Sequence, residues 1–209
     1  MEFDKELQKA LEELRKSKER KFDQTVDLII NLQKFDIKKT PVNLLLTLPH
    51  KVKEKKIGAF LEMENSALDT ITGNEFKKYL DKKLVKNLVK KYDFFIAEAK
   101  LMPKVATTFG RILGPAGKMP SPQLGIIPMV SDDAIKELIT KINSTLKIRV
   151  KESSIKLPVG KQSMEDKDIL ENISSIYNDI LNVLPKQKDN IKNIGIKFTM
   201  TKPIKIKVR

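Results

Sequence analysis

Arg111 and Lys118 are the only charges in the string FGRILGPAGKMPSPQLG, residues 109–125, which packs four glycines and three prolines into seventeen positions. A glycine-rich turn ahead of a lysine can cradle phosphate: main-chain amides surround the anion and the ammonium neutralises it. That chemistry requires glycine five residues before the Gly-Lys pair and a Ser or Thr hydroxyl after it, to hold magnesium. Ile112 and Met119 occupy those places, so both requirements fail. Proline lacks an amide donor and glycine alone enters positive φ without strain, so a shaped loop is expected here rather than a helix or central strand. A nucleotide-binding enzyme using residues 110–118 is the alternative class, and it predicts mononucleotide binding.

Other reactive types are scarce. The chain has no cysteine, which excludes disulfides and thiolate metal sites, and its one histidine, His50, follows Pro49 without an evident acid–base partner. A structural role is expected for His50, and neither an enzyme activity, a metal nor a cofactor is expected of the chain. Charge is the stronger signal. Forty-one basic residues against 27 acidic ones leave a net +14 in 209 residues. Such an excess favours a polyanionic partner, nucleic acid first and an anionic membrane surface second. Residues 186–209 carry eight basic groups against Asp189 alone, which makes the C-terminal strands the best candidate for a phosphate-facing edge. Aromatic residues make up 6% and tryptophan is absent, too few for a stacking platform, so a folded RNA read by shape and backbone is expected. No apolar run approaches the ~18 residues of a membrane span, and a cytoplasmic location is expected.

The elements that must position these residues come in two styles. Leu7, Ala10, Leu11 and Leu14 predict an amphipathic helix over 3–19. Residues 22–33 alternate, with Val26, Leu28, Ile30 and Leu32 on one face, and Val42 to Leu48 repeat the pattern. The middle block holds the short apolar runs 57–61 and 94–97, followed by stretches read as helical at 65–71, 75–90, 101–109 and 131–143, the last opened by Ser131 as N-cap. After residue 147 the first style returns. Residues 146–150 and 154–159 read as a strand pair, Ser163 to Asp166 as a capping box, and Ile169 to Leu184 as a long apolar helical face. Two alternating strands follow, around Ile196 and Ile206. The expected fold is α/β: an α+β domain from residues 1–50 and 149–209, with a Rossmann-like α/β domain, 51–148, inserted through a two-strand hinge.

The signature string, together with Lys21-Phe22-Asp23-Gln24-Thr25-Val26, Leu48-Pro49-His50, Pro158-Val159-Gly160-Lys161 and Thr199-Met200, resembles the family of the universal large-subunit ribosomal protein number one, the stalk protein, in its archaeal form. These motifs fall in the family's order along essentially the whole chain. The resemblance implies the same two-domain layout. It also implies a monomer outside the ribosome that binds the large-subunit rRNA stalk helix, assists release of deacylated tRNA from the exit site, and represses its own mRNA through an rRNA-like element.

On the resemblance, the RNA-binding candidates are Lys21, Phe22, Thr25, Thr199 and Met200. Arg149, Lys151, Lys161, Ser163 and Lys202 join them as phosphate or hydrogen-bonding groups on neighbouring strands and turns. Phe22 reads either as a core aromatic or as a ring packing on a ribose or base. Met200 shares parity with Ile194, Ile196 and Phe198, which would place it in the core, whereas the resemblance places it on exposed strand surface. Thr199 is expected to hydrogen-bond RNA directly. The family has glycine at the next position, where this chain has Thr201, and a Cβ there is expected to hinder close approach. Arg111 and Lys118 are secondary RNA contacts or structural loop residues. The seven lysines of 77–91 read as a solvated helix face.

Overall fold

The computed structural model describes residues 2–18, 20–36, 43–65, 68–128, 131–150 and 152–206. The elements in chain order are α1 (Glu2–Arg15), β1 (Thr25–Leu32), β2 (Asn43–Thr47), β3 (Ile57–Leu61), β4 (Asp69–Thr72), α2 (Lys82–Lys91), β5 (Phe94–Glu98) and α3 (Met102–Ala116). They continue with β6 (Ile126–Ile127), α4 (Asp132–Ser144), β7 (Thr145–Arg149), β8 (Ser154–Lys161), α5 (Asp166–Val183), β9 (Ile191–Phe198) and β10 (Ile204–Ile206). The chain is a mixed α/β protein that divides into two compact units, residues 1–53 with 144–209 and residues 54–143.

In the first unit, alternation does what the sequence predicts. Val26, Leu28, Ile30 and Leu32 of β1 turn inward with Ile194, Ile196 and Phe198 of β9. The antiparallel sheet runs β10-β9-β1-β8, and β1 pairs with β8 and β9 along its length. One face of each helix completes this core: Leu7, Leu11 and Leu14 from α1, and Ile169, Ile173, Ile176 and Ile180 from α5. Phe3 stacks on Tyr177 with ring centroids 4.6 Å apart, joining the two helices.

In the second unit the sheet is parallel, ordered β4-β3-β5-β6. Every residue of β3 is buried, as a strand covered on both faces requires. Phe60 on β3 packs against Phe95 (5.4 Å), Phe109 (4.9 Å) and Phe76 (5.8 Å).

Several local expectations are corrected. Residues 69–72 form β4, not helix, and 75–90 breaks at Asp81 into a short 3₁₀ turn and α2. The strands β7 and β8 do not pair with each other. β7 pairs with β2 in a separate two-stranded ladder, Asn43 opposite Arg149, while β8 pairs with β1. The Ser163–Asp166 capping box does not form. The N-cap of α5 is Glu165, without a side-chain bond, and the Ser163 hydroxyl turns to Asp23 instead.

The largest correction is the signature string. Residues 109–116 are the second half of α3, so Gly110, Gly114 and Pro115 lie inside a helix. Val105, Phe109 and Leu113, four apart, form its buried face. Pro115 forfeits only a bond in the final turn, because the helix ends at the next residue, Ala116. Gly117, at φ 71°, then closes a Schellman cap: its amide donates to Gly114 O (2.9 Å) and that of Lys118 to Leu113 O (3.0 Å). Farther on, Gly125 is forced by proximity, since a Cβ there would stand 3.1 Å from the Phe95 carbonyl.

Candidate nucleic-acid interface

Thr25 opens β1 at the end of the sheet where three distant segments converge. On one side it is in register with Lys161 of β8. On the other, its amide donates to Thr199 Oγ1 (3.1 Å), and the Thr199 amide donates back to Thr25 O (3.1 Å). Residues 21–25, 161–163 and 199–202 therefore meet at one edge, although the hydrogen bond from Met200 to Gln24 spans 176 residues of the chain.

The apolar groups here face outward. Phe22 is 50% exposed and Met200 58% exposed. The reading of Phe22 as a core aromatic is thereby excluded, and so is the core position that alternation suggests for Met200. The strand β9 ends at Phe198, and Thr199 and Met200 form the turn beyond it, so the alternation no longer applies and the pair does not lie on a strand. Lys21, Ser163 and Lys202 are exposed as well.

Beneath this surface lies polar scaffolding that sequence reasoning missed. Gln24 is fully buried. Its Oε1 accepts the Met200 amide (3.2 Å), its Nε2 donates to Gln162 Oε1 (3.2 Å), and its carbonyl accepts the Gln162 amide (2.7 Å). One side chain thus ties the 199–200 turn to the 161–163 turn. Asp23 performs a parallel task. It accepts the Ser163 amide (3.1 Å) and hydroxyl (3.0 Å) and pairs with Lys161 Nζ at 3.4 Å. Burial pushes the Asp23 carboxyl up, but the Ser163 bonds and Lys161 together outweigh it and hold the group below its ordinary value. Arg15, at the end of α1, secures the same turn by donating to Asp166 Oδ1 (2.6 Å), Gln162 O (3.1 Å) and Met164 O (2.8 Å).

Thr201 also has a defined task. Its Oγ1 accepts the Phe198 amide (2.9 Å) and its own amide donates to Phe198 O (3.1 Å), closing the turn after β9. Its φ is not positive, so the backbone there does not require glycine. The Thr199 hydroxyl is likewise engaged on the Thr25 main chain, accepting its amide at 3.1 Å and lying 3.4 Å from its carbonyl, while the side chain stays exposed.

The remaining candidates lie elsewhere. Arg149 is on β7, in the two-stranded ladder, and Lys151 lies outside the described residues. Arg111 is exposed on α3, in the second unit. Lys118 is structural: its ammonium donates to Val89 O (2.6 Å) and Tyr92 O (2.7 Å), the carbonyls at the end of α2. A phosphate-cradling lysine must be free, so this geometry removes the basis of the nucleotide-enzyme alternative. His50 is held through Nε2 against Glu171 (2.7 Å) and through its main chain by the buried Asn172, which accepts its amide and donates to its carbonyl.

Residues 14–202 match the sequence model of the Ribosomal protein L1p/L10e family. The chain is similar to the large ribosomal subunit protein uL1 of Nanoarchaeum equitans, 35% identical over 202 residues, covering 92% of this chain and 95% of that protein. It is equally similar to the uL1 proteins of Thermococcus kodakarensis, 35% over 220 residues with 99% of both chains covered, and Pyrococcus abyssi, 35% over 221 residues with 99% and 98% covered. With the model matching nearly its whole length, the chain belongs to the Ribosomal protein L1p/L10e family.

Proposed function

We propose that this chain is an rRNA-binding structural constituent of the large ribosomal subunit that holds the stalk RNA at the Thr25–Thr199 edge of its terminal sheet. The coarser part follows from the family: it is a structural ribosomal protein, not an enzyme, and works on the cytoplasmic ribosome. Among the described residues no helix is long and apolar enough to cross a membrane.

The observation that carries the finer reading is the convergence of Lys21–Thr25, Lys161–Ser163 and Thr199–Lys202 on one edge, with Phe22 and Met200 held outward. Exposed apolar side chains beside main-chain and hydroxyl groups suit the ribose faces and backbone of a folded RNA. Lys21 and Lys202 supply phosphate contacts, and Lys161, paired with Asp23 at 3.4 Å, joins them only by sharing its charge between that carboxylate and a phosphate. The sequence resemblance supports three further elements: a hinge between residues 1–50 with 149–209 and residues 51–148, assistance to release of deacylated tRNA, and repression of the chain's own mRNA.

The test is binding to the organism's large-subunit rRNA stalk fragment, titrated against salt with excess tRNA as competitor. Binding that survives the competitor is expected. Binding that disappears under it would reduce the +14 charge to a general polyanion surface and end the stalk assignment.

A further inference from the structure

We propose that α2 forms a second, sequence-independent RNA-backbone contact, on the unit that lacks the Thr25–Thr199 edge. In ten residues α2 carries five lysines and no carboxylate. Lys82, Lys86 and Lys90 recur every four residues, about 6 Å apart along the axis, and Lys83 flanks them on the same exposed arc. Val85 is buried, outside that arc.

Charge on a solvated helix normally comes as opposite-sign pairs three or four residues apart. Like charges at that spacing destabilise a helix by about 0.2–0.5 kcal/mol per pair. The helices α1, α4 and α5 mix their signs, whereas α2 places lysine against lysine three times, as Lys82–Lys86, Lys83–Lys86 and Lys86–Lys90. The neighbouring carboxylates are otherwise engaged. Asp81 caps the helix through the Lys83 amide (2.8 Å), Glu75 pairs with Lys78 (3.0 Å), and Asp69 pairs with Lys91 (3.1 Å) and accepts the Tyr92 hydroxyl. Nor does the helix end need Lys90, because Lys118 already sits on its terminal carbonyls. Among the described residues Lys82, Lys83, Lys86 and Lys90 have no ion-pair partner, so their charge serves nothing inside the chain.

A row of flexible point charges without arginine forks or aromatic anchors fits phosphates, not bases, so the contact follows an RNA backbone whatever its sequence. The inference needs a ribosomal setting but does not rest on the Thr25–Thr199 edge.

The experiment uses the full chain with two probes, an unrelated RNA duplex and the stalk fragment. In the variant with Lys82, Lys83, Lys86 and Lys90 all replaced by glutamine, the slope of log K against log salt should become shallower by about 3, since each phosphate no longer neutralised removes about 0.7–0.9. Glutamine has nearly the helix propensity of lysine, so the helix persists, as an unchanged circular-dichroism spectrum would verify. Acetylation of the four lysines in the wild type, read by mass spectrometry, should fall severalfold when either RNA is added, while the exposed Lys136 on mixed-charge α4 is unaffected. An unchanged slope, equal acetylation with and without RNA, or equal shielding by polyglutamate would overturn the proposal. Because the duplex probe does not use the stalk site, failure of the stalk assignment would leave this result readable.

Discussion

Replacing Thr199 by valine removes one oxygen at nearly constant shape, and the structure says what that oxygen holds. Thr199 Oγ1 accepts the amide of Thr25 at 3.1 Å, at the first residue of β1. In the free chain Thr199 is exposed and Thr25 half-buried, so water can take over the orphaned amide. The stability loss should then sit near the lower end of a single hydrogen bond, about 0.5–1 kcal/mol. At the proposed interface, RNA bound over Thr199 would change the balance by excluding that water. An unpaired amide sealed under the RNA costs about 1–3 kcal/mol, which corresponds to about 5- to 150-fold weaker binding. Thr199→Ser keeps the oxygen and should bind within about twofold of the wild type. The assay is titration of the stalk fragment at fixed ionic strength, with urea unfolding of each free variant alongside. Three results would refute the reasoning: valine binding as tightly as threonine, serine losing as much as valine, or an affinity loss no larger than the stability loss of the free chain.

Two further perturbations test the supporting geometry. Lys118→Met leaves the Val89 and Tyr92 carbonyls without their charged donor, and unfolding in urea should show a loss of about 2–3 kcal/mol, with stalk-RNA affinity retained; a loss under about 0.5 kcal/mol would return Lys118 to the free cations. Asp23 titrates below its ordinary value of 3.8, so its contribution is fully present above that pH and is lost as the pH falls through the lowered folded value. Stability measured from pH 5 to pH 2.5 should therefore fall less steeply in Asp23→Asn than in the wild type, and parallel curves would show that the Ser163–Lys161 anchor contributes nothing. Glu171, lowered by its bond from His50, titrates in the same acid window, so the comparison must be between variants and not of absolute slopes.

How much of this was legible in the sequence depended on how local each signal was. The elements α1, β1, α5 and β9 follow from periodicity alone, because one apolar face per element needs no knowledge of its partner. Strand pairing is not local, and adjacency in sequence wrongly joined β7 to β8. Glycine and proline content misled at 109–116 for an energetic reason. Two helical glycines cost about 2 kcal/mol relative to alanine, but burying Phe109 and Leu113 returns about 3–6 kcal/mol. Tertiary burial therefore wins over propensity, and the helix runs on until Gly117 provides the left-handed cap.

The same asymmetry separates the residues that identify this chain from those that would act on a partner. The string at 109–125 is its most distinctive feature, yet several of its residues serve the fold: Phe109 and Leu113 fill the core, Gly117 ends a helix, Lys118 ties down another, and Gly125 lets two backbones meet. A string whose members serve one packed region is constrained as a block, and so reads clearly in one dimension. The candidate interface is the reverse case. Gln24 meets Met200, Asp23 meets Ser163 and Thr25 meets Thr199 across 140 to 176 residues. Each residue is constrained by a fold the sequence does not display. Thr201 shows what this permits. Where relatives are expected to carry glycine, a hydroxyl that binds Phe198 closes the turn by another route, and the local string changes while the exposure of Met200 is preserved.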